Sequence, residues 1–298
     1  MRSIRALVLY LVAIFIGGAL LAPWLWWLVQ SLVSVNSSLA RAPFHRYVDR
    51  SLLLIALAGL WPLLRTLGAT SWREVGLRPP AGQFKKLGDG LLLGFGSLAV
   101  LAALVLGAHE RLWSPDLPTH KIIGTLLGAL GTAAVVATLE EILFRGGIFG
   151  GLRRMLPWPV ALAISSAIYA LVHFLQRTEL TGPVHWNSGL LLLPQMLAGF
   201  ADAHQLIPGF FNLTLAGLLL GLAYQRTGNL YFSIGLHAGW IFWLKSYGAF
   251  TVAVSPEISW FWGSGKLIDG WLAFIVLSTV LAGLKYWLPP HPSSPAKP

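Results

Sequence analysis

Two adjacent glutamates and an arginine, Glu140, Glu141 and Arg145, interrupt a stretch that is otherwise apolar for a long way on both sides. A charged side chain at bilayer depth costs about 2.5–3.5 kcal/mol on insertion scales, so three of them in one segment need partners or a task. On a helix Glu141 and Arg145 are i,i+4 with the acid N-terminal, the favourable order for a salt bridge. Glu140 lies about 100° around the helix from Glu141, off the face of that pair. The spacing therefore predicts one carboxylate neutralised locally and a second kept for another purpose. The bland alternative is that both acids pair with Arg145 or reach toward the membrane surface.

Two further apolar segments carry histidine. In YALVHF, Tyr169 and His173 are i,i+4 and share a helical face; in GLHAGWIFW, His237 sits inside another apolar run. Either histidine alone is explained by a hydrogen bond to a neighbour. One glutamate and two histidines from three segments are also the ingredients for activating water or for binding a divalent metal. Hydrolysis of a peptide bond needs a base to deprotonate water and donors to hold the developing oxyanion. Glu140 with His173 can supply the first, and His237 the second.

The elements that must position these groups are membrane helices. Of the 298 residues 56% are hydrophobic and only 11% charged, against about 25% charged in an ordinary soluble domain. The 14 tryptophans fit the enrichment of Trp where hydrocarbon meets headgroup. The absence of cysteine excludes disulfides, thiolate nucleophiles and Cys-based metal sites. A net charge of +10 reads as cytoplasmic loops meeting anionic lipid, and no nucleic-acid partner is expected.

A span needs roughly 20 apolar residues. That rule predicts an all-α polytopic membrane protein with about eight transmembrane helices: 6–30, 50–68, 88–108, 122–150, 158–176, 206–227, 229–249 and 267–287. The first apolar run is longer than a signal h-region and reads as an uncleaved helix. The distribution of Lys and Arg favours N-terminus and C-terminus both inside. Residues 71–80, SWREVGLRPP, read as a short cytoplasmic interfacial segment. Residues 189–200, apolar but too short to span and containing Pro194, read as a re-entrant or surface-lying hairpin. One membrane domain, residues 1–288, is expected, with a disordered Pro-rich tail at 289–298.

The ordered set Glu-Glu-x-x-x-Arg (Glu140, Glu141, Arg145), aromatic-x-x-x-His (Tyr169, His173) and a third His-containing span (His237) resembles the CPBP intramembrane proteases. That family includes the type II CAAX prenyl endopeptidases and the bacterial abortive-infection or bacteriocin-processing proteins. The approach to the third motif, AGLLLGLAYQRTGNLYFSIGLHAGW, is similar too, and the resemblance covers about residues 120–245. It implies an intramembrane catalytic cavity and endoproteolysis of a membrane-associated or lipid-anchored protein substrate, in a bacterial inner membrane. Glu140, Glu141, His173 and His237 would be catalytic and Arg145 and Tyr169 supporting. The family's usual phenylalanine is Tyr169 here, and its usual His-x-x-x-Asn places Ile241 where an oxyanion-binding Asn is expected. Asn212, in the preceding span, is a candidate substitute donor.

Two chemistries compete: Glu140 as general base with no cofactor, or Glu140, His173 and His237 ligating Zn²⁺. Metal-type spacings such as His-Glu-x-x-His do not occur, which favours the glutamate mechanism. An inactive scaffold or immunity protein and a proton-coupled transporter remain alternatives from other functional classes. The transporter would call for corresponding broken helices in two halves, and none is visible.

Overall fold

The computed structural model describes residues 2–37, 39–114, 117–255 and 259–288; the tail expectation at 289–298 lies outside them. In chain order α1 (Arg2–Val12) runs through a π-helical turn (Ala13–Gly17) into α2 (Gly18–Leu32), followed by α3 (Phe44–Thr66). A 3₁₀ turn (Trp72–Val75) precedes α4 (Phe84–Gly107), and strand β1 (Arg111–Trp113) leads to α5 (Thr119–Glu141). A π-helical stretch (Ile142–Phe149) then joins α5 to the single turn α6 (Gly150–Leu152). The remaining elements are α7 (Trp158–Val172), α8 (Ser188–Met196), α9 (Ala203–Thr227), α10 (Tyr231–Phe250), strand β2 (Thr251–Ala253) and α11 (Trp271–Trp287).

Among the described residues the protein is all-α apart from one short ribbon, with β1 and β2 antiparallel and Arg111 opposite Ala253. Each expected span is a helix. Five of them (Arg5–Leu32, Phe44–Thr66, Phe84–Gly107, Thr119–Leu152 and Leu206–Thr227) are long and apolar enough to cross a membrane. The other three fall short for identifiable reasons. At 15 residues α7 extends about 22 Å, less than a hydrocarbon core of about 30 Å. At 17 residues α11 is also short, and α10 reaches 20 residues but carries His237 and Lys245. The segment at 188–200 is not a hairpin. It is α8, with Pro194 inside it, followed by a 3₁₀ turn (Leu197–Phe200).

The chain forms two compact units, residues 1–70 with 172–206 and residues 71–171 with 207–298. In the first, Gly18 lets α2 lie against α3, since a Cβ there would stand 2.8 Å from the Leu52 Cα. Tyr10 donates to the Ala56 carbonyl at 2.7 Å. A core of Ala22, Phe44, Tyr47, Val48, Leu192 and Met196 closes this unit.

The second unit is organised around α10, which packs against α4 and α5. The α4–α10 seam is built from glycine on both sides. A Cβ on Gly90 or Gly94 would fall 2.1 Å from the Phe232 carbonyl oxygen or 2.0 Å from that of Leu236. A Cβ on Gly235 would fall 2.0 Å from the Leu87 oxygen. Only hydrogen fits in these places, so the backbones touch. In lipid, where no hydrophobic force draws helices together, such close packing is the main source of association. Trp240 adds a hydrogen bond from Nε1 to Ser97 Oγ at 2.9 Å. Gly76, at φ +89°, turns the 3₁₀ segment so that Leu230 N donates to its carbonyl at 3.1 Å, fixing the start of α10.

Candidate active site

His237 lies on α10 between Gly235 and Gly239, where the backbone is pressed against α4. That contact sets the height of the imidazole relative to α5, whose last two residues are Glu140 and Glu141. The chain then enters its π-helical stretch, a geometry that is rare and concentrated at functional sites.

Glu141 is fully buried, and Arg145 is 2% exposed. Arg145 Nη1 donates to Glu141 Oε1 at 3.0 Å, as the i,i+4 spacing predicts. The same oxygen lies 2.9 Å from His237 Nδ1. Because an ionised carboxylate can only accept, this contact requires the proton on Nδ1 and turns Nε2 toward the rest of the cluster. Glu141 Oε2 has no hydrogen-bond partner among the described residues. A buried ion pair of this kind contributes little net stability, yet removing one partner strands a charge.

His237 Nε2 faces two groups: the Tyr169 hydroxyl at 3.3 Å and Glu140 Oε2 at 3.8 Å. The Tyr169 ring is clamped, with the Arg145 guanidinium carbon 4.5 Å from its centroid and the Phe144 ring edge-on at 5.1 Å. The two glutamates thus occupy different settings. The Glu141 side chain is sealed and ion-paired, whereas that of Glu140 is 23% exposed. A group that must meet water needs the second setting, and a group that holds a ring in place needs the first.

Five sequence-derived candidates therefore come together: Glu140, Glu141, Arg145, Tyr169 and His237. His173 is the first residue past α7, in a turn of the first unit. The expected helical face shared with Tyr169 ends one residue early, ahead of the polar run Gln176-Arg177-Thr178-Glu179. Asn212 is committed elsewhere. Its Nδ2 donates to the carbonyls of Ile268 and Gly270 at 2.9 and 2.8 Å, tying α9 to the entrance of α11. Both amide protons are used there. Among the described residues, no group of three His, Cys, Asp or Glu side chains is arranged to hold a metal ion.

The sequence reading passed over the glycines. Gly90-x-x-x-Gly94 and Gly235-x-x-x-Gly239 stand in the sequence as a four-residue spacing on two apolar helices, the usual mark of close helix contact in membranes.

A buried acid–arginine pair, a carboxylate-held imidazole and a second, partly exposed carboxylate on membrane helices define a membrane protein with an enzyme-like polar centre. Residues 122–243 match the family model described as type II CAAX prenyl endopeptidase Rce1-like. All three motifs fall inside that stretch, which supports the likeness to the CPBP family of CAAX proteases. No curated protein and no solved structure matches the chain.

Proposed function

We propose that this protein is a glutamate-type intramembrane endopeptidase acting on a membrane-associated or lipid-anchored protein. The observation that carries the reading is the asymmetry of the two glutamates. Glu140 is partly exposed and 3.8 Å from His237 Nε2, and Glu141 is sealed against Arg145 and His237 Nδ1.

In this reading Glu140 takes a proton from water as the water oxygen attacks the scissile carbonyl carbon. The carbonyl electrons move onto oxygen, and the polar groups around His237 Nε2 hold that charge. The oxyanion's electrons then re-form the carbonyl as the carbon–nitrogen bond breaks and the proton on Glu140 passes to the nitrogen, leaving an amine and a carboxylic acid that loses its remaining proton to solvent. His173 assists this transfer, as its motif implies. Glu141 fixes the orientation and tautomer of His237, much as an orienting acid does in other hydrolases. Arg145 balances the charge of Glu141 within the membrane. The protein would sit in a bacterial cytoplasmic membrane with both termini inside, its partners being membrane lipids and the substrate protein.

The test is comparative mapping of protein termini in membrane fractions from cells expressing the wild type or Glu140→Ala. A new terminus that depends on Glu140 supports the reading and names the substrate. Identical termini at equal expression would remove it.

A further inference from the structure

We infer that the Tyr169 hydroxyl is a catalytic oxyanion donor of this site, supplying the contact that Ile241 cannot. The inference rests on the proteolytic reading and adds a residue to its chemistry. With Nδ1 of His237 held by Glu141 Oε1 at 2.9 Å, a neutral imidazole has no proton on Nε2. In that state the ring accepts at Nε2 and cannot donate to an oxyanion. The donor beside it is the Tyr169 hydroxyl, 3.3 Å away and on the nitrogen that also faces Glu140. The phenolic proton can turn from Nε2 toward a developing oxyanion without any heavy-atom movement.

The surroundings of Tyr169 suit this task. The residue is 3% exposed, and its ring is gripped by Arg145 at 4.5 Å and Phe144 at 5.1 Å. A donor already in position and shielded from water is the arrangement that lowers a barrier most, because nothing reorganises as charge develops. The other donors that the sequence offered are lost. Asn212 gives its amide protons to Ile268 and Gly270, and Ile241, one turn beyond His237, is hydrocarbon. If the imidazole is doubly protonated, Nε2 donates to the tyrosine oxygen and makes its O–H a stronger donor. The hydroxyl therefore serves in either state.

The experiment compares full-length wild type, Tyr169→Phe and Glu140→Gln in phospholipid nanodiscs. The probe is an internally quenched peptide carrying a farnesylated cysteine three residues from its C-terminus. Losing one oxyanion donor lowers kcat about 10²–10³-fold where measured, with KM held within about two-fold because ground-state binding is untouched. Tyr169→Phe should show that split while unfolding at the wild-type temperature. Adding Ile241→Asn to Tyr169→Phe should recover part of the lost kcat by returning a donor one turn from His237. A Tyr169→Phe enzyme with wild-type kcat, beside an inactive Glu140→Gln, would reduce Tyr169 to packing and leave the protease reading standing. Equal cleavage by wild type and Glu140→Gln would remove the protease reading and this inference with it.

Discussion

Replacing Gly94 by alanine puts one methyl group into the tightest part of the α4–α10 seam. The added Cβ would stand 2.0 Å from the Leu236 oxygen and 2.8 Å from its carbonyl carbon. Both are backbone atoms and cannot step aside as a flexible side-chain end can. An ordinary carbon–oxygen contact is about 3.3 Å, so the helices must part locally by about 1.3 Å. Leu236 adjoins His237, whose Nδ1 sits 2.9 Å from Glu141 Oε1. A shift of about 1 Å takes that contact past hydrogen-bond range. Overpacking of this kind costs about 1–3 kcal/mol, and a 1 Å misplacement of a catalytic group costs about 10²-fold in rate. Gly96→Ala is the matched control, because a methyl there, on the same helix, meets nothing within 4 Å. Thermal unfolding in detergent and initial rates on the farnesylated probe should separate the two variants, Gly94→Ala losing in both and Gly96→Ala in neither. If Gly94→Ala behaves like Gly96→Ala, the seam does not position His237.

The remaining predictions concern the charge cluster and its neighbours. Arg145→Met leaves Glu141, wholly buried, without its cation, and should destabilise the protein by about 3–5 kcal/mol in equilibrium unfolding from mixed micelles; wild-type stability would contradict the pairing. Asn212→Ala removes two hydrogen bonds to carbonyls and should cost about 1–3 kcal/mol, while kcat on the probe stays at the wild-type level. A large fall in kcat there would restore Asn212 as a donor. Exhaustive treatment with a zinc chelator should leave proteolysis intact, and a loss reversed by added Zn²⁺ would favour the metal mechanism instead.

What the sequence revealed follows from how local each signal is. The Glu141–Arg145 pair was readable because both partners lie on one helix at i,i+4, and nothing distant is needed to bring them together. Five of the spans were readable from hydropathy, which needs only length and composition. The end of α7 was not readable, since apolar residues continue past Val172 and the helix stops without proline or glycine to mark it. The π-helical stretch after Glu141 was equally hidden, because its paired glycines, Gly146 and Gly147, weaken a helix without specifying a π turn. The Glu141–His237 contact joins residues 96 apart and depends on the register of α10, set against α4 by paired glycines. That spacing was visible, but the partner of each glycine face was not. Asn212 went astray for a similar reason: a lone amide in a span looks available until the loop that accepts its protons is in place.

The most direct test of the account is the cleavage rate of purified Glu140→Gln against wild type, on whichever membrane protein the mapping of termini identifies. The substitution keeps the shape of the side chain and removes only its capacity to take a proton. The account predicts a correctly folded protein whose cleavage falls to background, with substrate binding retained. A Glu140→Gln enzyme that cleaves at the wild-type rate would contradict it and assign the activation of water to another group.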